Sequence, residues 1–341
     1  MAQLVDGQWV EDLAVPKNPD GSWTRVPAKV HGWIRQGSAF APEAGRYHLW
    51  LAWNCTWSQR TLIVRNLLGM QEAFPATMAH WHRNENGWWF RSGLDALQAD
   101  APQSWEAWNS EKGFQPAEPA PGLPLYRIYQ AHDAHFTGRC TVPALWDRQS
   151  GRMVNNESSE ILKMLQEDCH ALGIGRALRP KALEARIDET NTWVYDAINN
   201  GVYKVGFARS QGAYEIALHA LFNALDRCER ILSEQRYLCG AVLTEADVRL
   251  FPTLVRFDAV YFQHFKCSIR RIADYPHLSE YLRDLYQTPG FPETVNVHFT
   301  KLGYMGRSER LNPSRIIPPG PALDWDLPHS RGGEAAFARR G

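Results

Sequence analysis

Cys55 follows the apolar run 47–54 and precedes a helix-like segment that begins at Thr56. A thiol at a strand-to-helix junction meets the unpaired N–H groups of the first helical turn and the positive end of the helix dipole, and both favour a thiolate. The thiolate is the nucleophilic form of cysteine. The position of Cys55 therefore predicts thiol–disulfide exchange or attack on a sulfur-bearing substrate.

The six cysteines lie far apart and form no CxxC pair. This spacing argues against a zinc site and against a disulfide framework. We expect the five cysteines other than Cys55 to be free, buried, small apolar residues. They are Cys140, Cys169, Cys228, Cys239 and Cys267. His80 and His82 alternate along a predicted strand, but no further ligands are near them in sequence, so structural histidines are expected rather than a metal site.

The composition bounds the class of protein. A chain of 341 residues is long enough for two domains, and 44% hydrophobic residues exclude global disorder. Lys+Arg and Asp+Glu both number 37, so net charge indicates neither a nucleic-acid nor a membrane partner. The N-terminus lacks the pattern of a signal peptide, and no apolar run approaches the ~18 residues of a membrane span. We expect a soluble, cytoplasmic protein.

The first half of the chain reads as an arm followed by a small α/β domain. Residues 1–43 are rich in Pro, Gly and Trp and predict an irregular surface arm. Residues 44–170 show strand, helix, strand and helix, then a hairpin and a further helix. Within them, residues 84–121 carry Asn, Gly, Pro and Ser signals and predict a long loop.

The second half changes pattern. Residues 171–187 contain a stretch with Pro and Gly and predict a linker, and residues 188–310 show helical spacing throughout. In that region Thr244–Asp247 has the spacing of a capping box that opens a helix. We find no strand-like alternation after residue 160, and therefore predict an all-helical second domain. The Pro-rich residues 311–341 predict an extended tail.

Three local features together suit glutathione. The first is the helix-start thiol of Cys55. The second is Val142-Pro143 at a strand start, because a cis bond there would turn the Val142 backbone outward to pair with a peptide-like ligand. The third is Glu157-Ser158 at a helix N-terminus, which would hold a carboxylate and an ammonium group. Each feature alone is more often packing, a strand start or a helix cap, but the combination predicts a thioredoxin-like domain joined to a helical one.

Several long stretches, in this order along the chain, carry a resemblance to one protein family. They are Ala44-Gly-Arg-Tyr-His48, Arg60-Thr-Leu-Ile-Val-Arg65, Gly87-Trp-Trp-Phe90, Thr137-Gly-Arg-Cys-Thr-Val-Pro-Ala-Leu-Trp-Asp147, Val154-Asn-Asn-Glu-Ser-Ser-Glu160 and, in the second half, 199–208, 243–251, 256–261 and 264–267. Through them the chain resembles the glutathionyl-hydroquinone reductases, the Xi class of the glutathione transferase superfamily. The resemblance spans about Asp6 to Pro321. It implies the glutathione transferase fold, an α/β thioredoxin-like N-terminal domain plus an all-α C-terminal domain, and a homodimer formed mainly through the helical domain.

The resemblance also implies roles for single residues. Cys55 matches the catalytic cysteine, which reduces glutathionyl-hydroquinones to hydroquinones through a mixed disulfide with glutathione, the co-substrate. No metal is implied. The residues matching the glutathione site are Trp88, Arg127, Val142, Glu157 and Ser158. The residues matching the hydroquinone pocket are Tyr203, Tyr261 and Tyr304. Without the resemblance, these tyrosines are equally well explained as core or interface residues.

The chain departs from the family at the catalytic motif. The family reads Cys-Pro-Trp-Ala-His-Arg, and this chain reads Cys55-Thr-Trp-Ser-Gln-Arg60. Proline suits the first helical turn, where no N–H partner is needed, whereas Thr56 restores an N–H and adds a hydroxyl. Two alternatives therefore stay open. One is another glutathione-dependent reaction on an aromatic substrate, either ether cleavage or thiol transfer, and the other is a non-catalytic glutathione-binding protein.

Overall fold

A computed structural model describes residues 3–11, 18–90, 123–306 and 310–339 of the chain. The chain divides into two compact units. The first comprises Met1–Val15, Pro27–Ile174 and His298–Gly303, and the second comprises Pro16–Val26, Gly175–Val297 and Tyr304–Gly341. The main change of unit, from Ile174 to Gly175, falls inside the predicted linker 171–187. The long loop predicted for residues 84–121 lies outside the described residues from position 91 onward.

The first unit is built on a four-stranded mixed sheet. The strands of this unit are β1 Gln3–Val5, β2 Gln8–Val10, β3 Tyr47–Ala52, β4 Ala76–Ala79, β5 Ala144–Asp147 and β6 Arg152–Asn155. The sheet has the order β4-β3-β5-β6, in which β3 pairs parallel to β4 and antiparallel to β5. All six residues of β3 are buried, which explains why its sequence is almost continuously apolar.

Among the described residues, three helices accompany this sheet: α1 Thr56–Leu67, α2 Tyr126–His132 and α3 Ser158–Gln166. Helices α1 and α3 pack against each other, and α2 packs against β6. The predicted order of strand, helix, strand, helix, hairpin and helix is confirmed. A 3-10 turn, His170–Leu172, follows α3.

The prediction of an irregular arm over residues 1–43 was wrong at its start. Strands β1 and β2 form an antiparallel hairpin through a turn at Asp6 and Gly7, both of which have positive φ (47° and 71°). The hairpin is tied to the rest of the unit because Leu4 and Gly138 exchange two backbone hydrogen bonds of 3.0 and 2.9 Å. Leu4 is fully buried, so the hairpin belongs to the core of the first unit.

The second unit is predominantly helical. Its α-helices are α4 Glu184–Trp193, α5 Gly201–Phe207, α6 Gln211–Glu234, α7 Glu245–Arg256, α8 Phe262–His264 and α9 Pro276–Tyr286, and α10 Val297–Met305 contains residues of both units. Two π-helical segments, Val194–Asn199 and Phe257–Tyr261, continue α4 and α7. Single 3-10 turns lie at Lys181–Leu183, Ile272–Asp274 and Pro292–Thr294. None of the helices within the described ranges combines the length and the apolar character that crossing a membrane requires.

The capping box predicted at Thr244–Asp247 is confirmed. Asp247 accepts the Thr244 backbone N–H at 2.8 Å, and Thr244 caps the N-terminus of α7. Asp247 is fully buried and also accepts the Leu238 N–H and the Tyr281 hydroxyl. Burial raises the pKa of Asp247, and these donors oppose that rise.

Strands do occur after residue 160, contrary to the sequence-based expectation. Strand β7 Arg176–Ala177 pairs antiparallel with β8 Ala338–Arg339. These two-residue strands lie in the predicted linker and the predicted tail, whereas the named elements in the described part of 188–310 are all helical. Two residues carry no readable alternation, so this pairing depends on contacts that are distant in sequence.

Candidate active site

Cys55 is the N-cap of α1 and has extended backbone angles (φ −96°, ψ 114°). Its sulfur accepts the Ser58 backbone N–H at 3.4 Å, and its S–H donates to the Val142 carbonyl at 3.3 Å. The side chain is half-buried. The predicted helix-start position is confirmed, and the thiol combines an N–H donor from the helix with access for a reacting partner.

The other five cysteines are free thiols, as expected, but the expectation that all five are buried is wrong for Cys140. Four of them are buried, and Cys140 is half-buried. Burial raises the pKa of all five, for Cys169 to about 12. These five thiols stay protonated at neutral pH, and Cys55 is the one cysteine that caps an α-helix among the described residues.

The Val142–Pro143 peptide bond is cis. Val142 is buried, and its carbonyl is the acceptor for the Cys55 thiol. Its backbone N–H forms no hydrogen bond with any other residue in the described ranges. A backbone N–H left open beside the thiol is the group that an added peptide strand would use.

Glu157 and Ser158 stand at the start of α3, as predicted. Glu157 is the N-cap. Its Oε1 accepts two hydrogen bonds from Ser159, one from the backbone N–H at 2.9 Å and one from the hydroxyl at 2.8 Å. Ser158 is buried and accepts from the Arg60 guanidinium, from Nη2 at 2.6 Å and from Nε at 3.0 Å. Arg60 lies on α1, so it joins the helix that begins at Cys55 to the pair at the start of α3.

Trp88 is half-buried and packs against the same hydrophobic cluster as Cys55. That cluster contains Val142, so the structure brings three of the predicted residues to one group of side chains. The Arg83 guanidinium lies 4.5 Å from the Trp88 ring centroid, and the Trp88 carbonyl accepts the Leu125 N–H at 2.7 Å. These contacts fix the ring as one wall of the cluster.

Arg127 is exposed on α2. It donates to Gln130 Oε1 at 3.0 Å, and its guanidinium lies 5.2 Å from the ring centroid of Tyr126. None of its described contacts reaches another of the predicted site residues. Its assignment to the glutathione site stays a prediction.

Tyr203, Tyr261 and Tyr304 form one cluster within the second unit. The Tyr304 hydroxyl lies 2.7 Å from the Tyr203 hydroxyl and 3.0 Å from the Tyr261 hydroxyl. Phe265 packs against all three rings, with centroid separations of 5.5, 5.3 and 5.7 Å. Three tyrosine hydroxyls that are joined by hydrogen bonds and packed on the Phe265 ring can bind an oxygenated aromatic ring and donate a proton to it.

The N-terminal segment Pro16–Val26 adds two residues to this tyrosine cluster. The Trp23 ring stacks on the Tyr203 ring at 6.0 Å, and the Arg25 guanidinium lies 5.0 Å from the same ring. Arg25 also donates from Nε to Asn200 Oδ1 at 2.6 Å. Residues from the arm therefore form part of the surroundings of Tyr203, which the sequence did not reveal.

Two sequence models of protein families match the chain. The model described as "Glutathione S-transferase, N-terminal domain" matches residues 54–168, and that described as "Glutathione S-transferase, C-terminal domain" matches residues 211–284. The chain is 40% identical over 340 residues to the glutathionyl-hydroquinone reductase YqjG of Escherichia coli K12, covering 97% of this chain and 98% of YqjG. It is also 40% identical to the glutathionyl-hydroquinone reductase PcpF of Sphingobium chlorophenolicum, covering 94% and 97%.

Solved structures agree with these relatives. The Xi-class glutathione transferase of Natrialba magadii superposes with a TM-score of 0.85 at 36% identity, covering 98% of each chain. The chain belongs to the Xi class of the glutathione S-transferase family. A glutathione-bound structure of YqjG superposes on this Xi-class chain with a TM-score of 0.83 at 39% identity, covering 96% of this chain and 98% of the other. The expected fold, thioredoxin-like α/β plus all-α, is confirmed.

Thr56 and Gln59, two of the positions at which this Xi-class chain departs from the family motif, are buried. Thr56 and Gln59 are 4% and 3% exposed, in the first turn of α1 directly after Cys55. The Gln59 N–H donates to the Cys55 carbonyl at 3.0 Å, so the first helical turn forms normally without a proline. The changed side chains are buried in the helical turn that follows the thiol, and the backbone of that turn is helical.

Metal-binding clusters of His, Cys, Asp and Glu are lacking among the residues that the structure describes. His80 packs its ring against Trp81 and Trp89, and its Nδ1 accepts the His82 backbone N–H at 3.2 Å. These contacts support the interpretation of His80 and His82 as structural histidines.

Arg60 is the functional candidate that sequence reasoning missed. It was recognised only as part of the matching stretch 60–65, without a role. The signal available was a charged residue flanked by the buried residues of α1, because arginine is rarely fully buried unless it is paired. Its partners at Glu157 and Ser158 lie about a hundred residues away, and the sequence does not indicate them.

Proposed function

We propose that this chain reduces glutathionyl-hydroquinones to hydroquinones, with glutathione as co-substrate. The observation that carries the proposal is the Cys55 thiol at the start of α1, hydrogen-bonded to the Val142 carbonyl, in a chain 40% identical over nearly its whole length to two glutathionyl-hydroquinone reductases. A one-cysteine mechanism suits the chain because no second cysteine accompanies Cys55 in a CxxC pair.

The glutathione moiety would occupy the face of the first unit that carries Cys55. Its cysteinyl backbone would pair with the open N–H of Val142, in the manner of an added strand. Its γ-glutamyl end would meet Glu157 and Ser158 at the N-terminus of α3, where the helix dipole favours a carboxylate. The Trp88 ring would pack over the tripeptide, and the Arg127 guanidinium would bind the glycyl carboxylate.

The proposed reaction has two steps, and the first forms a mixed disulfide. The Cys55 thiolate attacks the sulfur of the aryl thioether, so that an S–S bond forms and the bond between sulfur and the ring carbon breaks. The electron pair stays on the ring carbon, which takes a proton from a tyrosine hydroxyl acting as general acid. The hydroquinone leaves, and Cys55 remains as a mixed disulfide with glutathione.

The second step restores the enzyme. A second glutathione, as its thiolate, attacks the mixed disulfide at the glutathione sulfur and releases the Cys55 thiolate together with oxidised glutathione. The proton lost by the second glutathione balances the proton that the ring received. In the net reaction the thioether sulfur and the sulfur of one free glutathione are oxidised to a disulfide, and the ring carbon is reduced from C–S to C–H.

The proposed experiment compares Cys55→Ala with Cys140→Ala, because Cys140 is the other half-buried cysteine. Reduction of a glutathionyl-hydroquinone should be lost in Cys55→Ala and retained in Cys140→Ala, with unchanged circular dichroism in both. Full activity of a folded Cys55→Ala variant would contradict the mechanism.

A second candidate is a different glutathione reaction on an aromatic substrate. The buried Thr56 and Gln59 beside the thiol favour it, because they change the surroundings of the reacting sulfur from the family motif. A panel of aryl ethers, small disulfides and glutathionyl-hydroquinones separates the two functions. Turnover confined to ethers or disulfides would replace the first proposal, and turnover confined to glutathionyl-hydroquinones would remove the second.

We also propose a homodimer, as in the expectation from the resemblance. Light scattering of the purified chain measures the mass directly. A monomer at micromolar concentration would contradict this part of the proposal without affecting the chemistry at Cys55.

A further inference from the structure

Arg60 is a buried cation next to the pair that the proposed function assigns to the γ-glutamyl end of glutathione. It is 1% exposed, and its guanidinium packs 4.7 Å from the ring centroid of Trp57. Nη2 and Nε donate to Ser158 Oγ at 2.6 and 3.0 Å, and Nη2 also reaches Glu157 Oε1 at 3.5 Å. Two neighbouring N–H groups of the planar guanidinium thus converge on one hydroxyl oxygen.

The two donors fix what the Ser158 hydroxyl can do. A serine hydroxyl has one O–H donor and two acceptor lone pairs. The guanidinium occupies the acceptor side of the Ser158 oxygen, so the O–H is directed away from Arg60 toward a ligand that accepts from it. An ammonium group cannot accept a hydrogen bond, whereas a carboxylate can.

Glu157 is fixed in the complementary role. Its Oε1 accepts from the N–H and the hydroxyl of Ser159 at 2.9 and 2.8 Å, and the Arg60 guanidinium adds a third, longer contact. The carboxylate is 30% exposed at its side chain, so part of it faces solvent. The start of α3 therefore presents a donor at Ser158 and an acceptor at Glu157, side by side.

We propose that Arg60 is a positioning residue that makes the N-terminus of α3 select an α-amino acid carboxylate by orienting the Ser158 hydroxyl as a donor. The inference rests on the proposed function, because it deepens the recognition of the γ-glutamyl end. The guanidinium acts through Ser158 and also places its positive charge beside the start of the helix, where the dipole already favours an anion.

The test compares two ligands in the full-length protein. One is reduced glutathione, and the other is the same tripeptide with the α-carboxylate of its γ-glutamyl residue converted to a primary amide. Calorimetric titration gives both Kd values. The wild-type protein should prefer the carboxylate by about ten- to a hundredfold, as expected for the loss of one charge-assisted hydrogen bond.

Arg60→Met keeps the length of the buried side chain and removes its donors. The preference for the carboxylate should fall to below about threefold, mainly through weaker binding of glutathione itself. Arg60→Lys, which keeps the charge without the two-pronged geometry, should give an intermediate preference. If Arg60 has only a structural role, its replacement weakens the binding of both ligands by the same factor. An unchanged preference for the carboxylate in Arg60→Met would therefore overturn the inference.

Ser158→Ala provides a second variant in case Arg60→Met does not fold. It should lower the preference as Arg60→Met does, and the double variant should show no further loss, because the two residues act as one unit. An unchanged preference in Ser158→Ala would also overturn the inference. Failure of the wild-type protein to bind either ligand would instead overturn the proposed function, and equal wild-type affinities would overturn the inference alone.

Discussion

Gly303 lies on α10 where the helix approaches Asn54, the residue before the nucleophile. A Cβ placed on Gly303 would lie 1.9 Å from Asn54 Nδ2 and 2.5 Å from its Cγ. Contacts below about 3 Å require something to move, and Asn54 is 6% exposed with its Nδ2 held at 3.5 Å from the Trp81 carbonyl. Gly303→Ala should therefore displace Asn54 and, with it, the Cys55 backbone.

The magnitude follows from two opposing effects. Adding a methyl group to a filled core typically costs about 1–3 kcal/mol. Replacing glycine by alanine inside a helix contributes roughly 0.5–1 kcal/mol of stability in the other direction. The net loss for Gly303→Ala lies between about 0 and 2.5 kcal/mol, and the middle of that range, about 1.3 kcal/mol, corresponds to roughly 3–5 °C in Tm at about 2–4 °C per kcal/mol.

The matched control is Gly212→Ala on α6, where a Cβ would meet no atom within 4 Å. This control should keep or raise Tm, whereas Gly303→Ala should lower Tm and also reduce kcat/KM for a glutathionyl-hydroquinone. Adding Asn54→Ala should recover part of the stability, since only the Asn54 Cβ at 2.8 Å still crowds the new methyl group. A Gly303→Ala variant as stable and as active as Gly212→Ala would refute the reasoning.

Three further changes test other parts of the structure. Arg331 donates to the Leu232, Gln235 and Arg236 carbonyls at 3.1, 2.7 and 2.7 Å, so Arg331→Ala should lower the free energy of unfolding in urea by about 2–3 kcal/mol. Burial, followed by the charges of Arg148 and Arg65, lowers the pKa of His48 to about 3, so the native ring stays neutral while the unfolded chain takes up a proton below about pH 6.5. The contribution of the neutral His48 ring to the free energy of unfolding is complete above pH 6.5 and is lost at about 1.4 kcal/mol per pH unit as pH falls toward 3. His48→Gln should therefore flatten the decline of the free energy of unfolding, measured in urea, between pH 6.5 and 4. Thr56→Pro, which restores the family residue at the first helical position, should leave Tm unchanged or higher and raise the preference for glutathionyl-hydroquinones over other acceptors in the substrate panel.

Each of these has an outcome that would contradict it. Unchanged urea unfolding in Arg331→Ala would show that the tail does not stabilise the end of α6. If the stability of His48→Gln falls with pH as steeply as that of the wild-type protein, the protonation of His48 on unfolding does not cause the decline. A lower preference for glutathionyl-hydroquinones in Thr56→Pro would show that Thr56 suits this substrate better than proline does.

Local signals in the sequence were sufficient for the elements around the thiol. The apolar run before Cys55, the polar turn between β5 and β6 and the capping box at Thr244 each act over a few residues, and each is found in the structure. The grouping of the three tyrosines came from the resemblance, because their hydroxyls meet from positions up to 101 residues apart.

Contacts distant in sequence account for what was missed. The hairpin of β1 and β2 had a usable signal, since Asp6-Gly7 is a favoured two-residue turn, but its three-residue strands are stable only through the pairing of Leu4 with Gly138. The pairing of β7 with β8 and the contacts of Arg60 with Ser158 have no local pattern at all. Only the folded chain brings these residues together.

The central claim is that Cys55 attacks the sulfur of a glutathione thioether. The most direct measurement is intact-protein mass spectrometry after mixing the reduced protein with one equivalent of a glutathionyl-hydroquinone and no free glutathione. The account predicts a mass increase of one glutathione, located at Cys55 by peptide mapping and reversed by added glutathione, together with one equivalent of released hydroquinone. Release of hydroquinone without an adduct on Cys55, or an adduct on another cysteine, would contradict it.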